Sequence, residues 1–61
     1  MYREEFLNEL SAKLAGLPEE EVEERLSFYR EMIEDRMEDG VPESEAVAQI
    51  GTPDEITAQI M

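Results

Sequence analysis

The side chains that could take part in catalysis are few in this 61-residue chain. It has serine and threonine hydroxyls but neither histidine nor cysteine, so the usual base that activates a hydroxyl nucleophile is missing. Its seventeen acidic residues make close carboxylate pairs inevitable. A working acid–base pair also needs a pocket that shifts one pKa, and a core this small can hardly enclose one. We therefore expect no enzymatic activity, no catalytic residue and no cofactor. The candidate nucleophiles are Ser11, Ser27, Ser44, Thr52 and Thr57.

Residues 35–40 partly match a calcium-binding loop: they carry acids at positions 1 and 5 of that pattern and glycine at position 6. The pattern fails at position 3, which is Met37, and at position 12, which is Ala46 instead of a bidentate glutamate. We interpret the segment as a helix C-terminus followed by a glycine and expect no metal ligand.

A run of acidic residues near the end of the second predicted helix is a candidate binding surface for a partner. Negative charge at a helix C-terminus costs about 0.3–1 kcal/mol per residue, and only Arg36 offsets it locally. The run is either a solvated, solubilising face or a docking surface for a basic protein partner. The residues that we expect to bind the partner here are Glu34, Asp35, Glu38 and Asp39.

Charge narrows the class of partner further. The net charge of −12 disfavours direct binding to DNA, RNA or an anionic membrane surface. No run approaches the roughly 20 apolar residues of a membrane span, and the first residues lack the basic-then-apolar order of a signal peptide. The sequence as given is that of a soluble chain.

Residues that end one helix and begin the next indicate how the chain is organised. The pattern Gly-x-Pro-acid begins at Gly16, Gly40 and Gly51. Glycine accepts the left-handed conformation that ends a helix, and proline suits the first helical turn. Three such joints predict an all-α fold: a small compact bundle of four helices, with one long central helix and three shorter ones, forming a single domain over residues 1–61.

Apolar periodicity places these helices at about 2–15, 18–39, 42–50 and from 52 onward. Thr52 and Glu55 have the spacing of a capping box at the start of the last helix. The chain ends at Met61 without a C-cap, so this helix looks cut, and we expect the domain to be excised from a longer protein. The predicted core comprises Leu10, Leu14, Val22, Leu26, Tyr29, Ile33, Val47, Ile50 and Ile56.

The second helix carries an unusually wide apolar arc. Phe6, Phe28 and Tyr29 have spacings typical of core residues rather than of a ligand site. Phe28 and Met32, however, widen the arc to roughly 180° at ~100° per residue, so this helix must contact neighbours on two sides. Because the core is small, we expect self-association, at least to a homodimer, through Phe28 and Met32.

Several segments together resemble one family, the HAAS signalling domain. They are residues 5–10 (EFLNEL), 16–21 (GLPEEE), 29–36 (YREMIEDR) and 50–56 (IGTPDEI). The resemblance covers essentially the whole chain, and the order and spacing of these segments make it specific. It implies an all-helical, N-terminal module of bacterial membrane proteins whose genes often neighbour PadR-type transcriptional regulators. The family supplies no catalytic or ligand residues.

The resemblance implies a signalling domain on the cytoplasmic side, tethered to the membrane only through C-terminal helices missing from this chain. Two functions remain open. One is a signalling and protein-interaction module that binds a PadR-like regulator or another cytoplasmic protein. The other is a structural oligomerisation module of a membrane protein. A basic regulator suits an acidic face, whereas self-association should use apolar positions and avoid like charges.

Overall fold

Four helical segments make up most of residues 1–60, which are the residues that the computed structural model describes. They are α1 (Arg3–Lys13), α2 (Glu19–Glu38), α3 (Glu43–Ile50) and α4 (Pro53–Ile60). These residues contain no strand. The predicted all-helical, compact fold is confirmed. The prediction that concerned the chain end at Met61 lies outside the described residues.

The first helix, α1, holds the molecule together. It contacts α2, α3 and α4, whereas α4 contacts α1 alone among the described helices. The sequence predicted that the longest helix is also the central one. α2 is the longest helix, as predicted, but the central helix is α1. The 20 residues of α2 span about 30 Å and set the 34 Å length of the molecule.

The prediction of four separate helices is confirmed only in part. Only Gly51 and Thr52 stand between α3 and α4, so these two segments can equally be described as one bent helical arm. The bend carries α4 away from α2 and onto α1, where Lys13 Nζ lies 2.6 Å from Asp54 Oδ1. This arrangement departs from a regular four-helix bundle.

The joint at Gly40 has the predicted left-handed conformation. Gly40 has φ +96°, its N–H donates to the carbonyl of Met37 (3.0 Å), and the N–H of Val41 donates to the carbonyl of Arg36 (3.0 Å). This pair of bonds is the Schellman motif, which satisfies two carbonyls at the end of a helix. Val41, the residue after the glycine, packs against the core and fixes the direction of the chain.

The joint at Gly51 combines a glycine stop with the predicted capping box, which is confirmed. Gly51 has φ +121°. The Glu55 N–H donates to Thr52 Oγ1 (3.1 Å), and the Thr52 N–H donates to Glu55 Oε1 (3.0 Å). Two N–H groups that the helix itself leaves unpaired are thereby satisfied.

The joint at Gly16 differs from the other two, and the left-handed glycine predicted there is wrong. Gly16 has no positive φ, and α1 ends three residues earlier, at Lys13. The chain continues in tight turns, in which the Leu17 N–H donates to the carbonyl of Leu14 (2.9 Å). Turns of this kind use ordinary φ values, so no special glycine conformation is needed.

The core lies where α1 meets the other three segments. Phe6 is fully buried, which confirms its interpretation as a core residue. Leu7 and Ala46 are buried as well, although the predicted core did not include them, because α1 packs against both α2 and α3 as well as α4. Val22, Leu26, Tyr29 and Ile50, predicted as core, are only partly buried and pack around it. The buried residues are Phe6, Leu7, Leu10, Leu14, Ile33, Ala46, Val47 and Ile56, with Pro53 at the start of α4.

Polar contacts fix both ends of α1 to helices that are distant in sequence. The backbone N–H of Arg3 donates to Glu43 Oε2 (2.9 Å), so the first residue of α3 caps the N-terminus of α1. Tyr2, the local N-cap residue, makes no side-chain cap of its own. At the other end of α1, the hydrogen bond from Lys13 to Asp54 raises the pKa of the Lys13 ammonium, and the charges of Asp54 and Glu9 act in the same direction.

Candidate interaction surface

The four acids predicted to bind a partner all lie at the C-terminal end of α2, but they are not equivalent. Glu34 Oε2 accepts a hydrogen bond from Arg3 Nη1 at 3.3 Å and is already partnered within the molecule. Asp35, Glu38 and Asp39 are exposed, and none forms an ion pair within residues 1–60. Three of the four therefore remain available to a partner.

Arg36 does not neutralise these acids through an ion pair. Its Nε donates to Gln49 Oε1 of α3 (3.1 Å), and its Nη1 donates to the backbone carbonyl of Met32 (3.4 Å). The guanidinium is directed along the flank of α2 toward α3. The end of α2 thus combines unpaired acids with a macrodipole of the same sign.

The acidic surface extends well beyond the predicted four residues. At about 100° per residue, six exposed positions of α2 fall within an arc of roughly 80° on the side opposite the core. They are spread along about 27 Å of helix, since each residue rises about 1.5 Å. We call them the outer face of α2; they are Glu20, Glu24, Phe28, Glu31, Asp35 and Glu38.

Sequence reasoning missed Glu20, Glu24 and Glu31 as members of this face. The signal was present, since acids recur at spacings of three, four and seven residues from Glu20 to Glu38. The prediction used only the acids near the C-terminus of the helix. The helix places the earlier acids on the same side as Asp35 and Glu38.

Phe28 and Met32, predicted as contacts for a second copy, are both incompletely covered. Phe28 is 57% exposed, which corrects its interpretation as a core residue. Met32 is half-buried and does not belong to the residues that pack against the core. Phe28 lies on the side of α2 opposite the buried Ile33, away from the helices that pack against α2. The prediction of self-association is not tested by this observation.

The hydroxyls considered as nucleophiles include two with structural partners. Thr57 Oγ1 donates to the carbonyl of Pro53 (2.7 Å), and Thr52 Oγ1 takes part in the capping box. Within residues 1–60, no three acidic side chains come together in a group that could hold a metal ion. None of the helices in this range is both long and apolar enough to cross a membrane.

These features define a small, acidic, all-helical domain with an exposed carboxylate-rich helix face. Comparison with protein families places it: the family model named HAAS matches residues 5–59, and the chain belongs to the HAAS family. The resemblance noted in the sequence is thereby confirmed. No curated protein and no solved structure matches the chain.

Proposed function

We propose that this HAAS domain is a non-enzymatic signalling and protein-interaction module that docks a basic surface of a cytoplasmic protein. We propose a PadR-like regulator as this partner, because the resemblance to the family implies that genes for such regulators often lie beside the gene of the full-length protein. We further propose that the full-length protein is tethered to the membrane by helices outside this chain. Partner binding by the domain itself requires no nucleic-acid contact.

The observation that supports this proposal is the unpaired charge at the end of α2. Asp35, Glu38 and Asp39 lie beside a helix C-terminus, where each negative charge costs about 0.3–1 kcal/mol. A basic partner would offset this cost and would be steered toward the acids over long distance. Glu34 contributes less, because Arg3 already pairs with it.

The test is binding of a purified PadR-like regulator to the domain and to a triple variant, Asp35→Asn with Glu38→Gln and Asp39→Asn. We expect the variant to bind more slowly and more weakly, and its affinity to depend less on salt. A matched control removes three exposed acids elsewhere: Glu4→Gln, Glu5→Gln and Glu45→Gln. Equal affinities and equal salt slopes for the two triple variants would overturn the proposal.

A second candidate function is a structural oligomerisation module that assembles the membrane protein through Phe28 and Met32. The observation in its favour is the exposure of Phe28, since apolar surface in excess of a monomer's needs is typical of interfaces. The sign of the salt effect separates the candidates. Salt weakens docking to a basic partner but strengthens contact between two acidic copies, because it screens attraction in one case and repulsion in the other.

A further inference from the structure

The ring of Phe28 is an exposed but ordered feature of α2. It packs edge-to-face on Tyr29, with centroids 5.2 Å apart and planes inclined by 70°. Tyr29 in turn packs against the core, so the contact ties the exposed ring to the interior. One side of Phe28 is thus supported from below, while more than half of its surface remains open. A ring held in this way loses little freedom when a partner covers it.

The surroundings of Phe28 are strongly and uniformly charged. The ring lines a shallow depression together with four glutamates and one serine, and no basic residue lines it. Arg25, on the neighbouring flank of the helix, is engaged with Glu21, where Nη2 and Oε1 are 3.2 Å apart. We call this depression the Phe28 surface; its residues are Glu20, Glu23, Glu24, Ser27, Phe28 and Glu31.

An aromatic ring bordered by carboxylates matches one kind of side chain especially well. A guanidinium can stack on the ring through its planar face and donate paired hydrogen bonds to a carboxylate at its edge. A lysine ammonium can form the ion pair but lacks the planar stacking and the two-pronged hydrogen bond. A neutral apolar helix would bury the glutamates without satisfying them.

A second copy of this chain fits the surface poorly. Two Phe28 surfaces in a symmetric contact would bring two sets of four glutamates together, each on a chain of net charge −12. Like charges placed opposite one another across an interface disfavour it. Charge complementarity therefore selects a basic occupant.

We propose that the Phe28 surface binds an arginine-bearing helical segment of a partner protein, with an arginine stacked on Phe28 and flanking arginines paired with Glu24 and Glu31. The proposal rests on the proposed interaction function and deepens it, because it names the side chain that the partner must present. It also adds a stacking contact to a surface otherwise recognised by charge alone.

The experiment uses a fluorescent helical peptide with arginines at i, i+3/i+4 and i+7 on one face, and the same peptide with lysine in place of every arginine. We expect the arginine peptide to bind about two- to fivefold more tightly, because arginine adds planar stacking and paired hydrogen bonds to the cation–π attraction that lysine also has. The double variant Glu24→Gln/Glu31→Gln should weaken binding and lower its salt dependence.

Phe28→Ala is the decisive variant. It should lower the affinity for the arginine peptide more than that for the lysine peptide and so reduce the preference for arginine. Phe28→Leu, which keeps apolar surface but removes the ring, should do the same. Because Phe28 is exposed, both variants are expected to fold, and a cooperative thermal transition checks this. The control Glu4→Gln/Glu5→Gln should lower affinity only slightly and leave the preference for arginine intact.

Two results would overturn the inference. Undiminished preference for arginine in Phe28→Ala would mean that the ring is not the contact. A dimer in sedimentation that Phe28→Ala converts to a monomer would assign the surface to a second copy. Failure here is distinguishable from failure of the proposed function: Phe28→Ala would then leave binding of the regulator unchanged, while loss of Asp35, Glu38 and Asp39 would still weaken it.

Discussion

Single residues between the helices determine where the chain turns, and the three glycines at these joints differ in backbone conformation. Only Gly40 and Gly51 have positive φ, and no atom lies within 4 Å of a Cβ added at Gly40. At Gly40 a side chain therefore meets a conformational penalty rather than a clash. Gly16, which is exposed and has an ordinary φ, pays no such penalty.

We predict that Gly40→Ala destabilises the domain by about 1–2 kcal/mol, because an L-residue is disfavoured in the left-handed region. The matched change Gly16→Ala should be neutral or stabilising by up to about 1 kcal/mol, since it restricts the unfolded chain. Urea denaturation of both variants measures the difference. Equal effects at the two positions would contradict the distinction between the joints.

The ion pair between residues Lys13 and Asp54 makes a pH-dependent contribution to the stability of the folded domain. Its partner raises the pKa of Lys13 above the ordinary 10.5, so the contribution is fully present below pH 10.5 and is lost as the pH rises through the raised pKa. Asp54→Asn should therefore lower stability at pH 8 and make little difference well above pH 11. Urea midpoints of wild type and variant at both pH values test this, and a gap that persists undiminished in alkali would refute it.

At the scale of elements, the two sides of α2 have opposite roles. Ile33 is fully buried, whereas Phe28, on the opposite side, is exposed and belongs to the outer face. Their replacements by alanine should separate stability from binding.

We predict that Ile33→Ala costs about 2–5 kcal/mol and Ile33→Val about 0.5–1.5 kcal/mol, because each leaves a cavity in proportion to the atoms removed. Phe28→Ala should cost less than about 1.5 kcal/mol, the upper worth of its aromatic contact with Tyr29. Thermal and urea unfolding of the three variants provide the ranking. A loss at Phe28 as large as that at Ile33 would mean that the ring is structural.

The helices and their breaks were largely predictable from the sequence, since Gly-x-Pro-acid joints and apolar periodicity act locally. Which helix lies at the centre was not, because it depends on how far α3 and α4 reach after each turn. The same limit applied to the candidate surface. Asp35, Glu38 and Asp39 followed from charge alone, but the pairing of Glu34 with Arg3 joins residues 31 positions apart. The exposure of Phe28 likewise depends on which side of α2 packs against α1 and α3, and an apolar arc of about 180° does not reveal that side.

For the whole molecule, the dominant property is its excess of negative charge. Five basic residues face seventeen acidic ones, and only three ion pairs form within residues 1–60. Mutual repulsion of the remaining carboxylates opposes the compact state.

We predict that moderate salt stabilises this domain. Raising sodium chloride from about 0.02 M to about 0.3 M shortens the Debye length from roughly 20 Å to below 10 Å and screens the repulsion more than the few exposed pairs. The thermal midpoint should rise over this range. A variant with Asp35, Glu38 and Asp39 replaced by amides should respond less steeply, and a midpoint that falls with salt would show that the ion pairs outweigh the repulsion.

The cap that Glu43 places on the first residue of α1 has a consequence for how the chain is made. A ribosome delivers α1 long before residue 43, and an isolated helix of about eleven residues is marginal in water. Until α3 emerges, α1 lacks both its N-terminal hydrogen-bond acceptor and part of the apolar surface that covers it. The helix at the centre of the finished molecule is therefore the first to be synthesised and among the last to be completed, so the domain should acquire its structure in one late step rather than helix by helix.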